Sequence, residues 1–473
     1  MIIKSTSWKT VLWIVAVAGV LLRLAHIFWK FDSDWEPDCY QHVLFSSATY
    51  AEFPDNAWLG ISVWAKPIYT YFMGLVYVAS PDILPRIVLT QLVNTGFWLG
   101  AVYFTDRLVS THFKHAETRL LLLGMALFGY TCFRASVTAN TEPMGAFVFA
   151  LGLWLYDRGR IWPALLAFGM LPLIRTDAIF AVAVFPAAEI VRQFRADNAR
   201  PLRGSLRVGL VFALPLAAWN LAGYIHTGSP TYVVSHGYPS TRGLYGFGGL
   251  FHYPWEFLKF DTLPTLLYPV SLGLLLWRKN LRTRTTTVTA LATSLYLAVM
   301  TAFWTFGAFG SAGLTRYFVF CSTGYLFIAG IALDELAGRF RTYWHQDRAI
   351  FITAGLAIPL LGLHWFLRPP QWHHGLLSSL PVNQAKQIRT YLKENEMIYA
   401  DYPAIAYYAG LHLNSDRLGS PKAIKENRPG LYFFVDDWTG SYSSLKAEDF
   451  AGCELVTVIH NPHLGNIRVY RLP

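Results

Sequence analysis

The sequence predicts an α-helical polytopic membrane protein of about eleven transmembrane helices, closed by a small extracytoplasmic α/β domain. Three observations carry this. Of 473 residues, 54% are hydrophobic and only 14% are charged, where a soluble domain carries about 25% charged residues. Apolar runs approaching the roughly 20 residues that a spanning helix needs recur through residues 1–367. From Arg368 onward, past Pro369-Pro370, the pattern changes to short strand-like runs.

In chain order, the candidate spans are 8–29, 84–105, 119–134, 143–157, 161–175, 177–191, 207–226, 263–278, 286–304, 315–337 and 349–367. The first, Val11 to Trp29, has no small-residue cleavage signature behind it and is expected to be retained. Ile61 to Ser80 is also apolar, but Lys66-Pro67 interrupts helical bonding. It is expected to lie at the interface within a first outer loop, 30–83. A second outer loop, 227–262, is rich in Gly, Pro and aromatics and reads as a lid, a binding loop or an interfacial aromatic belt. In the terminal domain, 368–473, a helix is expected over Pro381–Asn395 and another over Ala404–Leu411. Strands are expected at Met397–Ala400, Leu431–Val435, Leu455–Ile459 and Ile467–Leu472.

The net charge of +10 raises nucleic acid as a partner, and the placement of Lys and Arg argues against it. With a cytoplasmic N-terminus, the cytoplasmic loops collect Arg107, Lys114 and Arg119; Arg158 and Arg160; Arg192, Arg195, Arg200 and Arg203; Arg278, Lys279, Arg282 and Arg284; and Arg339, Arg341 and Arg348. The other side receives mainly single residues such as Arg134, Arg175, Arg242 and Arg316. That is the positive-inside bias, so the expected partner is a lipid bilayer and not nucleic acid. Cys39, Cys132, Cys321 and Cys453 are too scattered for a disulfide framework or a metal-ligand set. The chain carries no Asn-x-Ser/Thr acceptor, which favours the plasma membrane of a prokaryote over the endoplasmic reticulum.

Chemistry-bearing residues collect on the outer side. Asp32, Asp34, Glu36 and Asp38 follow the first span, and Glu142, Arg175, Asp177 and Arg316 sit at outer helix ends. A charge at a helix centre costs about 2.5–3.5 kcal/mol on insertion scales and less at an end. A transporter would place such groups near the midplane. Bland readings stand beside these. Asp32, Asp34 and Glu36 can be solvated loop acids. Glu142 can be a first-turn acid favoured by the helix dipole, with Pro143 at N1. Arg175 and Asp177 can pair with each other, His42 can be a plain hydrogen-bonder, and Arg316 can snorkel. His373-His374 reads as solvent-exposed linker.

Pro37-Asp38-Cys39-Tyr40-Gln41-His42 resembles the first-loop motif of the GT-C superfamily of integral-membrane glycosyltransferases. That group includes protein O-mannosyltransferases, lipid A aminoarabinose transferases and catalytic subunits of oligosaccharyltransferases. Cys39 stands where the paired-acid version of the motif has a second acid. Trp64-Ala65-Lys66-Pro67-Ile68-Tyr69 is similar to the family's Pro-Pro-Leu-Tyr stretch. Thr141-Glu142-Pro143 resembles its Glu-Pro, Ile174-Arg175-Thr176-Asp177 its Arg-x-(Asp/Glu), and Thr315-Arg316-Tyr317 its Arg-Tyr.

The resemblance implies an inverting transferase that takes a mannose-like hexose or a pentose from a polyprenyl-phosphate carrier, such as dolichyl phosphate, to a lipid, glycan or protein acceptor. Asp38 becomes the expected general base, with Asp34 and Glu142 as further catalytic candidates. Arg316, Arg175 and Arg242 are candidates for the donor phosphate. Tyr40, His42, Lys66, Asp177 and Tyr317 are candidates for substrate binding. Arg, or a divalent metal such as Mg or Mn, would meet the charge of the leaving phosphate; no residue is assigned as a metal ligand. The alternative function is a transporter or flippase of a lipid-linked sugar.

Overall fold

The computed structural model describes residues 8–30, 37–51, 57–63, 66–78, 83–195, 201–235, 247–308, 313–343, 390–391, 398–400, 424, 426, 429–435, 445–461 and 465–473. Among these the helices are α1 (Trp8–Lys30), α2 (Pro37–Ala51), α3 (Pro67–Val78), α4 (Ile83–His112), α5 (Ala116–Phe128), α6 (Tyr130–Ser136), α7 (Glu142–Asp157) and α8 (Ile161–Met170). They continue with α9 (Ile179–Val182), α10 (Val184–Arg195), α11 (Pro201–Thr227), α12 (Tyr232–Ser235), α13 (His252–Phe260), α14 (Thr262–Trp277), α15 (Arg284–Phe306) and α16 (Ser322–Tyr343). A 3₁₀ segment, Thr315–Cys321, leads into α16. The chain divides into two compact units. One comprises Met1–His26, Val93–Val137 and Thr141–Pro370, and the other Ile27–Leu92, Thr138–Asn140 and Gln371–Pro473.

Thr10–Phe28, Arg86–His112, Pro201–Thr227, Arg284–Phe306 and Thr315–Arg339 are long and apolar enough to cross a membrane. They coincide with five of the expected spans. Ile161–Leu173 and Thr262–Trp277 are apolar but shorter. The expected span 119–134 is two helices, α5 and α6, parted at Gly129. The expected span 177–191 starts as a 3₁₀ turn and is then divided into α9 and α10. The 349–367 span lies outside the described residues. Among its described residues, Ile61 to Ser80 holds the end of a 3₁₀ turn, Ala57–Ile61, and the short helix α3, opening at Pro67.

The helical core of the first unit is largely aromatic. Phe149 of α7, Phe168 of α8, Phe185 of α10, Tyr296 of α15 and Phe320 of the 3₁₀ segment are all fully buried. Phe168 and Phe185 stack at 4.0 Å, and Phe149 meets Phe320 edge-on at 5.9 Å. Such pairs contribute about 0.5–1.5 kcal/mol each beyond their buried area. Arg23, in the first span, is also buried. Its Nε donates to Ser136 Oγ at 2.8 Å and its Nη1 to the Leu127 carbonyl at 2.8 Å, tying α1 to α5 and α6 through neutral acceptors.

The C-terminal part of the second unit holds β1 (Ile398–Ala400), β2 (Gly430–Val435), β3 (Glu454–Asn461) and β4 (Gly465–Leu472), close to the four expected strands. The sheet order is β1-β2-β4-β3, with β1 parallel to β2 and the other pairs antiparallel. Leu431, Tyr432, Phe433 and Phe434 are all buried, so β2 is covered on both faces. Phe450 stacks on Tyr470 at 4.4 Å within that core. The helices expected at Pro381–Asn395 and Ala404–Leu411 lie outside the described residues, apart from Thr390 and Tyr391.

Candidate active site

The strongest cluster of buried charge forms at one end of α7. Glu142 is its first residue, with Pro143 in the first turn, where an acid is favoured by the helix dipole. Arg175 comes from a break in the chain after α8. Pro172 sits in a 3₁₀ turn, and Arg175 itself is extended, at φ −150° and ψ 110°, before a second 3₁₀ turn over Thr176–Ala178. That break brings three ionisable groups together. Arg175 Nη1 donates to Glu142 Oε1 at 2.5 Å, and Nη2 donates to Asp177 Oδ2 at 3.2 Å. All three side chains are at most 6% exposed. The Tyr296 hydroxyl also donates to Asp177 Oδ2 and lies 3.1 Å from the Tyr317 carbonyl.

The 3₁₀ segment supplies the other side. The Arg175 guanidinium lies 4.6 Å from the Tyr317 ring centroid, and Arg316 Nε lies 3.9 Å from Glu142 Oε1. Two acids and two arginines thus balance, and the fit is close. A Cβ on Gly145, one turn along α7 from Glu142, would meet Phe320 Cβ at 3.0 Å and Arg175 Cδ at 3.7 Å. The hydrogen bonding is nevertheless unfinished. Glu142 Oε2 and Arg175 Nε are buried with no hydrogen-bond partner among the described residues. A buried polar atom left unsatisfied costs roughly 1–3 kcal/mol, which marks these two atoms as candidate contacts for a polar ligand.

Beside the cluster is a cavity of ≈ 510 Å³, and Thr315, Phe318 and Val319 of the same 3₁₀ segment line it. Its other walls are mainly apolar and come from α5, α6, α13, α14, α15 and α16. Asp261, just ahead of α14, is the exception. Thr131 Oγ1 donates to its Oδ2 at 2.6 Å, while burial pushes the carboxyl up to about 6.

No protein-family model matches the chain, and no curated protein matches it. A solved structure does. ArnT from Cupriavidus metallidurans, crystallised in the apo state, superposes with a TM-score of 0.57 over 96% of this chain and 98% of that chain, at 13% identity. The chain has a GT-C-like fold. At that identity the likeness speaks for the fold alone.

Of the residues singled out in the sequence, Glu142, Arg175, Asp177, Arg316 and Tyr317 come together in the first unit. Both bland readings of this group are also realised: Glu142 opens a helix, and Arg175 pairs with Asp177. Asp38, Tyr40, His42 and Lys66 belong to the second unit. Asp38 occupies the first turn of α2 behind Pro37; its side chain and that of Tyr40 lie outside what is described, as do Asp34 and Arg242. His42 is buried and meets Tyr69 edge-on at 5.5 Å.

Lys66 is the only non-glycine residue with positive φ among those described, at 60°. It is buried, and its Nζ donates to the Val63 carbonyl at 3.0 Å. Such backbone strain collects at binding and catalytic positions. Tyr296 and Asp261 were not anticipated. Both stand in or beside apolar spans, where a buried hydroxyl or acid is itself a signal. Among the described residues, no group of three His, Cys, Asp or Glu side chains is placed to hold a metal ion.

Proposed function

We propose that this protein is an inverting GT-C-type glycosyltransferase. It moves a hexose or pentose from a polyprenyl phosphate to a lipid, glycan or protein acceptor at the extracytoplasmic face of a prokaryotic plasma membrane. One observation carries the reading. The segment that bears Arg316 also lines a ≈ 510 Å³ apolar cavity, and a cation beside such a cavity suits a ligand with an anionic head and a hydrocarbon tail. The GT-C-like fold supports it.

In this reaction the acceptor hydroxyl gives its proton to the Asp38 carboxylate, and its oxygen bonds the anomeric carbon from the face opposite the phosphate. The bond from that carbon to the phosphate oxygen breaks, and the electron pair leaves with the polyprenyl phosphate. Arg316 meets the charge that develops there; a guanidinium can offer two parallel hydrogen bonds to phosphate oxygens. Arg175 and Arg242 are the further candidates for this role. Arg175, held by Glu142 and Asp177, fixes the Tyr317 ring. Glu142 Oε2 has an acceptor position to offer a sugar hydroxyl. Asp34, Tyr40, His42 and Lys66 complete the proposed set on the strength of their motifs.

The test is donor consumption in detergent, with no vesicle and no gradient. Wild-type protein should release polyprenyl phosphate from polyprenyl-phosphate sugar, and Asp38→Asn should cut turnover at least about tenfold while donor binding persists. A transporter or flippase would bind the donor and consume none. Near-normal turnover in Asp38→Asn together with its loss in Asp34→Asn would move the base to Asp34.

A further inference from the structure

At the opposite end of α7 the chain builds a second pocket, of ≈ 320 Å³, from Gly159, Arg160, Ile161, Trp162 and Pro163 at the start of α8, Glu189, Arg192 and Gln193 of α10, and Val208 of α11. Its lining carries two arginines, Arg160 and Arg192, against one acid, Glu189. Arg158, Arg160, Arg192, Arg195, Arg203 and Arg207 are exposed in this region. The acids here are already engaged, and one of them, Glu189, stands in the pocket wall itself. Glu189 is buried and takes the Tyr156 hydroxyl at 2.8 Å, Arg192 Nε at 2.9 Å and Arg284. Asp157 accepts His112 Nε2 at 2.7 Å and Thr285 Oγ1 at 3.0 Å. The Glu189 contact holds Arg192 in the pocket wall while leaving its side chain 51% exposed.

Two further features define what fits. Arg160 is the N-cap of α8 and gives no side-chain cap to that helix, so the first-turn Trp162 N–H lacks an intrahelical partner and sits at the positive end of the helix dipole. Trp162 and Leu166, four residues apart on α8, are 48% and 39% exposed. They give an apolar track leading from the pocket along a helix of the bundle. An arginine-lined pocket at a helix end, with an indole at its lip and a hydrocarbon track behind it, matches the headgroup and first acyl carbons of an anionic phospholipid.

We propose that this pocket binds the phosphate of an anionic membrane phospholipid, with Arg160 and Arg192 as its ligands and Trp162 against the glycerol region. The general positive-inside bias would make every arginine here equivalent. The pocket makes Arg160 and Arg192 different from Arg203.

Native mass spectrometry of the full chain, released from mild detergent supplemented with phosphatidylglycerol or phosphatidylcholine, separates the two. Wild type should retain one phosphatidylglycerol in preference to phosphatidylcholine. Arg160→Gln should weaken that retention about tenfold, and Arg203→Gln should leave it unchanged. Among the described residues Arg160 makes no ion pair, so melting temperature should be preserved and a folding defect excluded. Equal losses in both variants, or no preference for phosphatidylglycerol in wild type, would overturn the proposal. Full displacement of the retained lipid by millimolar inorganic phosphate would do so too, by making this a site for free phosphate.

Discussion

The two ends of α7 handle buried charge in opposite ways. At its first residue, Glu142 has one oxygen on Arg175 and the other unpartnered among the described residues, and Arg175 leaves Nε unused. At its last, Asp157 takes His112 and Thr285 at 2.7 and 3.0 Å, with Thr111 at 3.4 Å. Close by, Asp334 accepts from His115 Nδ1 at 2.9 Å, the His115 backbone N–H at 3.1 Å and Thr118 Oγ1 at 3.0 Å. A polar network that closes on itself fixes helices in place. One that is left open costs free energy, and each such group calls for its own explanation. Sixteen residues of one helix therefore join a latch to a site, and variants at the two ends should fail differently: through stability at the latch, through turnover at the site.

The largest effect should come from Arg316. Its Nε stands 3.9 Å from Glu142 Oε1, and its guanidinium lies 5.9 Å from the Tyr317 ring centroid. Melting temperature is to be measured beside transfer, so that rates are compared between variants of matched stability. Hydrogen bonds to a charged group are worth about 1.5–3 kcal/mol, so Arg316→Ala should reduce donor-dependent transfer roughly ten- to a hundredfold. Arg316→Lys keeps the charge without the planar fork and should be partly active. A residue that only snorkels would give equal rates for all three proteins, because Lys snorkels as well and Ala is tolerated at a helix end.

How far the sequence carries can be read from these same residues. The five long spans were legible because each holds a long, predominantly apolar window with few charges. Arg175 and Asp177 lie two positions apart, so their pairing was open to inspection. Glu142 pairs with Arg175 across 33 positions, and a single sequence holds no register for that. The break that turns 119–134 into α5 and α6 was also hidden. A Cβ at Gly129 would stand 2.5 Å from the Met125 carbonyl oxygen and 3.0 Å from Asp261 Oδ1, a constraint set by a residue more than a hundred positions away. The latch was missed altogether, although Asp157, Glu189 and Asp334 beside apolar spans were the available clue.

Asp261 sharpens the contrast from within the site end, where it has Thr131 as its hydrogen-bonding side chain and Asp157 has three partners. Burial lifts its carboxyl from 3.8 to about 6. The folded protein then holds that proton more tightly than the unfolded chain does, so this group's contribution to stability falls as pH rises from 3.8 toward 6 and stays low above it. Asp261→Asn removes the titration. In detergent, the variant should melt higher than wild type at pH 8, by up to roughly 3 kcal/mol in unfolding free energy, and the gap should close by pH 4. The difference between the two proteins is the quantity to follow, because other carboxylates give slopes of the opposite sign. Parallel melting curves across that range would remove Asp261 from the account.

The smallest effect belongs to the latch. Asp157→Asn keeps one carbonyl acceptor for Thr285 or His112 and loses the charge that can pair with a protonated His112. His112 is also held edge-on against Phe327 of α16 at 5.0 Å, so α4 stays anchored to the bundle and the loss should be about 1 kcal/mol. The informative comparison is with turnover. If this end only fixes helices, Asp157→Asn should lower melting temperature slightly and leave transfer per folded molecule at the wild-type rate. Rescue by the double variant His112→Phe, Asp157→Leu would fit the same view, since replacing both partners of a buried polar pair by apolar groups of similar volume is often close to neutral. A tenfold loss of turnover at unchanged stability would mean that the far end of α7 takes part in the reaction. The division between latch and site would then have to be abandoned, because a fully satisfied network would be setting the rate about 22 Å along the helix axis from Glu142.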